Sequence, residues 1–117
     1  MKAVKVATYV LALIFLLSGS AKLAGLEFEV RAFEHWGYPL WFMYMTGALE
    51  VAGGIAILIP RISALASACL AGLMIGAVGT HLINAEWPMM VLATLILLTA
   101  AWRAMKGCNE IKALLIK

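Results

Sequence analysis

Four apolar stretches, each approaching the width of a lipid bilayer and parted by short polar connections, dominate this 117-residue chain. They run over about residues 4–24, 40–59, 62–83 and 87–104. A helix needs about 20 residues to cross the roughly 30 Å hydrocarbon core. Apolar residues make up 65% of the chain and its mean hydropathy is +1.01, whereas soluble domains lie nearer 45–50% apolar. So small a soluble domain could not hide this much apolar surface. The expected fold class is therefore all-α: a polytopic membrane protein built as an antiparallel four-transmembrane-helix bundle. Residues 1–117 form a single membrane domain.

The charges are sparse and unevenly placed. Between flanking charges the first and fourth stretches hold only Val6–Ala21 and Trp87–Trp102, so Lys5, Lys22 and Arg103 are expected at the bilayer edge, snorkelling outward. With both termini in the cytoplasm, the inner side holds Lys2, Lys5, Arg61, Arg103, Lys106, Lys112 and Lys117. The outer side holds Arg31 and the borderline Lys22. This bias sets the orientation in a cell (inner) membrane. The basic tail, 105–117, is placed to touch anionic headgroups. The start of the chain also has the look of a signal peptide, with Lys2 and Lys5 ahead of an apolar run and Ser18-Gly19-Ser20-Ala21. Cleavage would leave three helices, and the charge pattern fits four better. No basic stripe with interleaved aromatics exists, so nucleic acid is not an expected partner. Cys69 and Cys108 form no CxxC pair, which argues against a dithiol oxidoreductase; Cys69 reads as inert packing.

The connection at residues 25–38 differs from the other two. Leu26, Val30, Phe33 and Trp36 recur at helical spacing, with Glu27, Arg31 and Glu34 on a neighbouring face. Gly37 and Pro39 then stop the helix. A short amphipathic helix on the membrane surface is expected after the first span; an extension of the first helix is the alternative. For packing within lipid, small residues that let backbones approach are the signal. They occur as Gly47, Gly53 and Gly54 in the second stretch. In the third, Ala64, Ala68, Gly72, Gly76 and Thr80 recur every four residues. Tight contact of the second and third helices follows, with each other or across a homo-oligomer. Thr94 and Thr99 are the polar interior residues of the fourth stretch.

Glu50 is the polar residue that most demands an explanation. It lies about 15 Å from either end of its stretch, where a carboxylate costs at least ~2.5–3.5 kcal/mol. It must face the bundle and pair with a cation or hold its proton. Its candidate partners are Lys22 (with Ser18 one turn earlier), Thr46 and His81. A difference in depth of roughly 10 Å separates Lys22 from Glu50 if both helices are centred. Each residue also has a plainer reading: an interhelical hydrogen bond for Glu50, a snorkelling anchor for Lys22, an interfacial hydrogen bond for His81. Trp36, Tyr38, Trp41, Tyr44 and Trp87 crowd the outer ends as an aromatic belt. The first four could instead form a lid over a pocket made by Lys22, Glu50, Thr46 and His81. No metal site is expected, because no second His or Cys stands at ligand spacing from His81 or His35. No phosphate loop, nucleophile triad or dinucleotide fingerprint is present.

Four local patterns recur in order along nearly the whole chain: Ser18-Gly-Ser-Ala-Lys22-Leu, Phe33-Glu-His-Trp-Gly37-Tyr-Pro39, Gly47-Ala-Leu-Glu50-Val-Ala-Gly-Gly with Pro60-Arg61, and Gly72-Leu-Met-Ile-Gly76-Ala-Val-Gly-Thr-His81-Leu. Together they resemble the DoxX-like family of small four-helix membrane proteins. That family takes its name from a membrane subunit of an archaeal thiosulfate:quinone oxidoreductase, and Lys22, Glu50 and His81 match its recurring polar positions. The resemblance implies a membrane subunit that supports redox chemistry beside a soluble or membrane redox partner. A quinone is the candidate cofactor, with none bound covalently, and catalysis by the isolated chain is not expected. Two rivals stand beside this reading: a small proton-coupled transporter using Glu50, and a non-catalytic scaffold or assembly factor.

Overall fold

The structure, a computed structural model, describes residues 2–115 and is helical throughout, with no strand among the described residues. Six helices follow one another: α1 (Lys2–Leu23), α2 (Glu27–Trp36), α3 (Leu40–Ala56), α4 (Ser63–Ile83), α5 (Trp87–Lys106) and α6 (Cys108–Leu115). Of these, α1, α4 and α5 are long and apolar enough to cross a membrane. The fourth apolar helix, α3, has 17 residues, about 25 Å at 1.5 Å per residue. The molecule measures 42 × 26 × 25 Å, its long axis close to the 40–45 Å of a bilayer with its headgroups. Large apolar side chains cover its outside, among them Tyr9, Leu13, Leu17, Ile55, Ile75, Leu95 and Leu98. Such a surface is stable against lipid and not against water. The chain is a multi-pass membrane protein.

The helix ends explain the boundaries. At the end of α1, Gly25 takes a left-handed φ of +66°. Its N–H bonds Lys22 O and the N–H of Leu26 bonds Ala21 O, so the last carbonyls are satisfied by a reversing turn. Gly37, at φ +81°, ends α2 in the same way through Gly37 N–H to Glu34 O and Tyr38 N–H to Phe33 O. The end of α4 repeats the turn with Ala85 N–H to Leu82 O and Glu86 N–H to His81 O. There Ala85 carries the positive φ of 55° without being glycine. Three helices thus finish at one end of the bundle with the same turn. Pro39 then leads into α3, and Pro88 stands in the first turn of α5, where the missing N–H costs nothing.

Two boundaries differ from expectation. The second stretch was expected to be helical to residue 59, but α3 stops at Ala56 and residues 57–62 form turns around Pro60. The residue before a proline is pushed out of the helical region, so the helix gives way early. The tail is more ordered than a basic tail requires: Gly107 interrupts α5 and α6 follows. Lys117 lies outside the described residues.

The tight helix contact is not the expected one. The close pairs are α1 with α3 and α4 with α5, while α3 and α4 touch lightly. Glycine makes the first pair possible. A Cβ on Gly19 would come within 2.7 Å of Gly47 O and of Val51 Cγ2, and one on Gly47 within 2.9 Å of Gly19 O. A Cβ on Gly54 would meet Leu16 at 3.0 Å. By contrast, Gly72 and Gly76, expected to pack, have nothing within 4 Å of an added Cβ among the described residues. Thr94 and Thr99 bond carbonyls of their own helix, and both are half-buried. The apolar core is formed by Leu11, Ala12, Phe15, Ile57, Leu70, Met74, Ala93 and Ala100.

Candidate functional site

The register of α1 on α3 brings Lys22 and Glu50 together. Gly19 against Gly47 draws the helices so close that Ser18 and Lys22, one turn apart, both reach the Glu50 carboxylate. Lys22 Nζ stands 2.9 Å from Glu50 Oε1 and donates to Ser18 Oγ at 2.8 Å. Ser18 Oγ lies 3.2 Å from both Glu50 oxygens. Glu29, from α2, approaches the same ammonium at 3.5 Å. The Lys22, Glu50 and Glu29 side chains retain only 12%, 7% and 12% of their exposure. One cation therefore sits between two carboxylates in a site nearly closed to its surroundings. The depth gap inferred from the sequence is closed in the structure, where the lysine ammonium reaches the carboxylate directly.

His81 does not join this cluster. It closes a local ring at the end of α4, where its Nδ1 meets Glu86 Oε1 at 2.8 Å, beside the backbone bond from Glu86 N–H to His81 O. A carboxylate partner requires Nδ1 to carry the hydrogen. Trp36 Nε1 donates to the same Glu86 oxygen at 2.9 Å, and its ring meets the His81 ring edge-on at 5.4 Å. These bonds hold the Glu86 carboxyl below the usual carboxylate range, the His81 bond contributing most. Tyr38 shares a 2.8 Å hydrogen bond with Thr80. Thus α2 is fastened at both ends, by Glu29 to Lys22 and by Trp36 to Glu86, with Phe33 buried beneath it.

The remaining candidates are placed elsewhere. Thr46 donates to Phe42 O in its own helix. Of the proposed lid aromatics, Trp36 and Tyr38 reach polar partners, whereas Trp41 is exposed and Tyr44 partly so. Cys69 is exposed rather than packed. It helps line an apolar groove of about 490 Å³ between α3 and α4 with Leu49, Gly53, Leu65 and Leu70. That groove contains none of Lys22, Glu50 and His81.

Arg103 is the polar residue that sequence reasoning misplaced. Expected to snorkel at the bilayer edge, it is 94% buried, with 6% of its surface exposed. It spans three helices, donating from Nε to Thr8 Oγ1 at 2.7 Å and from Nη2 to Ser63 Oγ at 2.9 Å. A basic residue beside a basic tail reads as an anchor, and nothing in its own neighbourhood corrects that. The available signal was at a distance: hydroxyls at Thr8 and Ser63, at the ends of other stretches on the same side.

A model of the DoxX-like family matches residues 6–104. The chain belongs to the DoxX-like family. The match takes in Ser18, Lys22, Glu50, His81 and Arg103 and leaves out α6. A protein of Bacillus subtilis strain 168, described as Uncharacterized protein YdgD, is 36% identical over 80 residues, which are 65% of this chain and 70% of that one. No solved structure matches this DoxX-like chain.

Proposed function

We propose that this chain is a membrane subunit of a redox assembly, lying in the inner membrane as four antiparallel spans with both termini in the cytoplasm. In this reading α3 is the fourth span and α2 lies on the outer surface. The Lys22–Glu50–Glu29 cluster beneath α2 is where the subunit handles a proton or the polar head of a quinone-like, small amphipathic ligand. The observation that carries the reading is the imbalance of the cluster: two carboxylates face one ammonium. Buried charge must be paired or neutralised, so the extra carboxylate makes the site a natural acceptor of one proton. Quinone chemistry exchanges protons at the ring oxygens, and electrons are assigned here to the ligand and the partner protein.

Binding tests this directly. A short-chain quinone titrated into the protein in liposomes should quench Trp36 fluorescence saturably, isolated by replacing the other three tryptophans with Phe. Lys22→Met should weaken that binding at least tenfold, and Lys22→Arg should retain part of it. Equal quenching in Lys22→Met would overturn the site. The same imbalance favours a second reading, proton-coupled transport through Glu50. Substrate-dependent proton flux in liposomes, lost in Glu50→Gln, would select that reading. Co-purification of a redox protein would select the first. A chain showing neither property would be a scaffold or assembly factor.

A further inference from the structure

The opposite end of the bundle, where α1 begins and α5 finishes, carries positive charge without a matching negative one among the described side chains. Arg103 is buried, and the groups it bonds are the neutral hydroxyls of Thr8 and Ser63. A guanidinium has five N–H donors, and three of these have no acceptor among the described residues. No carboxylate among the described side chains comes within ion-pair distance of it.

The first turn of α4 meets Arg103 at the same point, through Ser63. Its cap residue, Ile62, offers no side-chain acceptor. The first helical bond runs from Ala66 N–H to Ile62 O, so the N–H groups of Ser63, Ala64 and Leu65 have no acceptor among the described residues. Ser63 and Ala64 are 1% and 0% exposed. Buried unpaired N–H groups are rare in folded proteins. The Ser63 hydroxyl accepts from Arg103 and keeps its own hydrogen to donate. Electrostatics sharpens the point. The start of a helix carries partial positive charge, and a buried cation beside it is repelled rather than stabilised. Arg61, exposed two residues earlier in the chain, adds a third positive group near this helix start.

An oxyanion would resolve every one of these features. Its oxygens would accept from the guanidinium fork, the Ser63 hydroxyl and the α4 amides, the donor set that proteins use for phosphate. We propose that Arg103, Ser63 and the first turn of α4 form a binding site for a phosphate-class oxyanion, from either a lipid headgroup or free phosphate. The site is independent of the Lys22–Glu50 cluster, which lies at the other end of the bundle.

The test uses the full chain, stripped of lipid in a neutral detergent. Thermal unfolding is followed in millimolar inorganic phosphate against chloride at equal ionic strength. A second arm adds short-chain phosphatidylglycerol or, as its phosphate-free control, short-chain diacylglycerol. The wild-type midpoint should rise by several degrees, saturably, in at least one arm. A rise with phosphatidylglycerol alone assigns the headgroup, and a rise with inorganic phosphate assigns the free anion. Arg103→Met should abolish the rise while matching or exceeding the wild-type midpoint in chloride, since it removes a charge that no described carboxylate compensates. Arg103→Lys keeps the charge, loses the fork and should need about tenfold more anion. The proposal fails if wild type shows no saturable rise in either arm, or if Arg103→Lys responds like wild type. An equal rise in Arg103→Met would also overturn it.

Discussion

At the residue scale, Lys22 and Glu50 depend on each other. Removing one member of a buried pair leaves an uncompensated charge, which costs about 3–5 kcal/mol. Lys22→Met should therefore lower thermal stability in detergent by about that amount. Lys22→Met combined with Glu50→Leu should recover part of it, because the apolar pair needs no compensation while Glu29 still loses its cation. A single variant as stable as wild type would mean that the pair holds nothing. Glu86 gives a pH signature. Its carboxyl is held below its ordinary value near 4.5, chiefly by the His81 bond and further by Trp36. A depressed folded-state value means stabilisation that is complete above the unfolded value and declines as pH falls from there through the folded value. Unfolding midpoints should thus fall as pH drops below the ordinary value near 4.5, and Glu86→Gln should flatten part of that fall. A profile unchanged by Glu86→Gln would remove Glu86 as a source of the pH dependence. The Glu50 site was legible in the sequence because a lone acid in an apolar stretch has so few ways to persist. Its partner was less so, since reach depends on helix register. His81 was expected near Glu50, but a carboxylate five residues along its own chain claims it first.

At the scale of elements, glycine position matters more than glycine pattern. The every-fourth-residue stripe of α4 advertises close packing, yet at its two glycines, Gly72 and Gly76, nothing among the described residues comes within 4 Å of an added Cβ. The contact falls instead on Gly19 of α1 and on Gly47 and Gly54 of α3. Periodicity reports which face is smooth, and only the partner's register says whether anything lies against it. Gly19→Ala should destabilise by about 1–3 kcal/mol, since its new methyl meets backbone that cannot yield. Gly76→Ala should be neutral or stabilising by up to about 1 kcal/mol, having open space and better helix propensity. Comparable losses in both variants, measured by thermal unfolding in detergent, would contradict this assignment of the close contact. The amphipathic helix α2 was fully legible, because its spacing and its Gly37-x-Pro39 stop act locally. The early end of α3 was not, because hydropathy runs on through residues 57–59 while the backbone responds to Pro60.

At the scale of the whole molecule, charge is sorted to the two ends of the bundle. The Lys22–Glu50–Glu29 and His81–Glu86–Trp36 clusters lie at the end covered by α2, and Arg103 with the basic tail lies at the other. The proposed function requires the α2 end to face outward. Apolar content alone indicated a membrane protein, and the lysine and arginine bias supplies the orientation that the proposed function adopts. The buried state of Arg103 was hidden because a charge count treats every flanking cation alike. Orientation is tested most directly by thiol labelling with a membrane-impermeant maleimide. Cys108 is exposed beyond α5, and Glu27 is exposed on α2, whereas Glu29 is tucked against Lys22. In a Cys69→Ala background, Cys108 should label only after the membrane is opened. With Cys108 also replaced, Glu27→Cys should label in intact cells. Labelling of Cys108 in intact cells, with Glu27→Cys protected until the membrane is opened, would contradict the account.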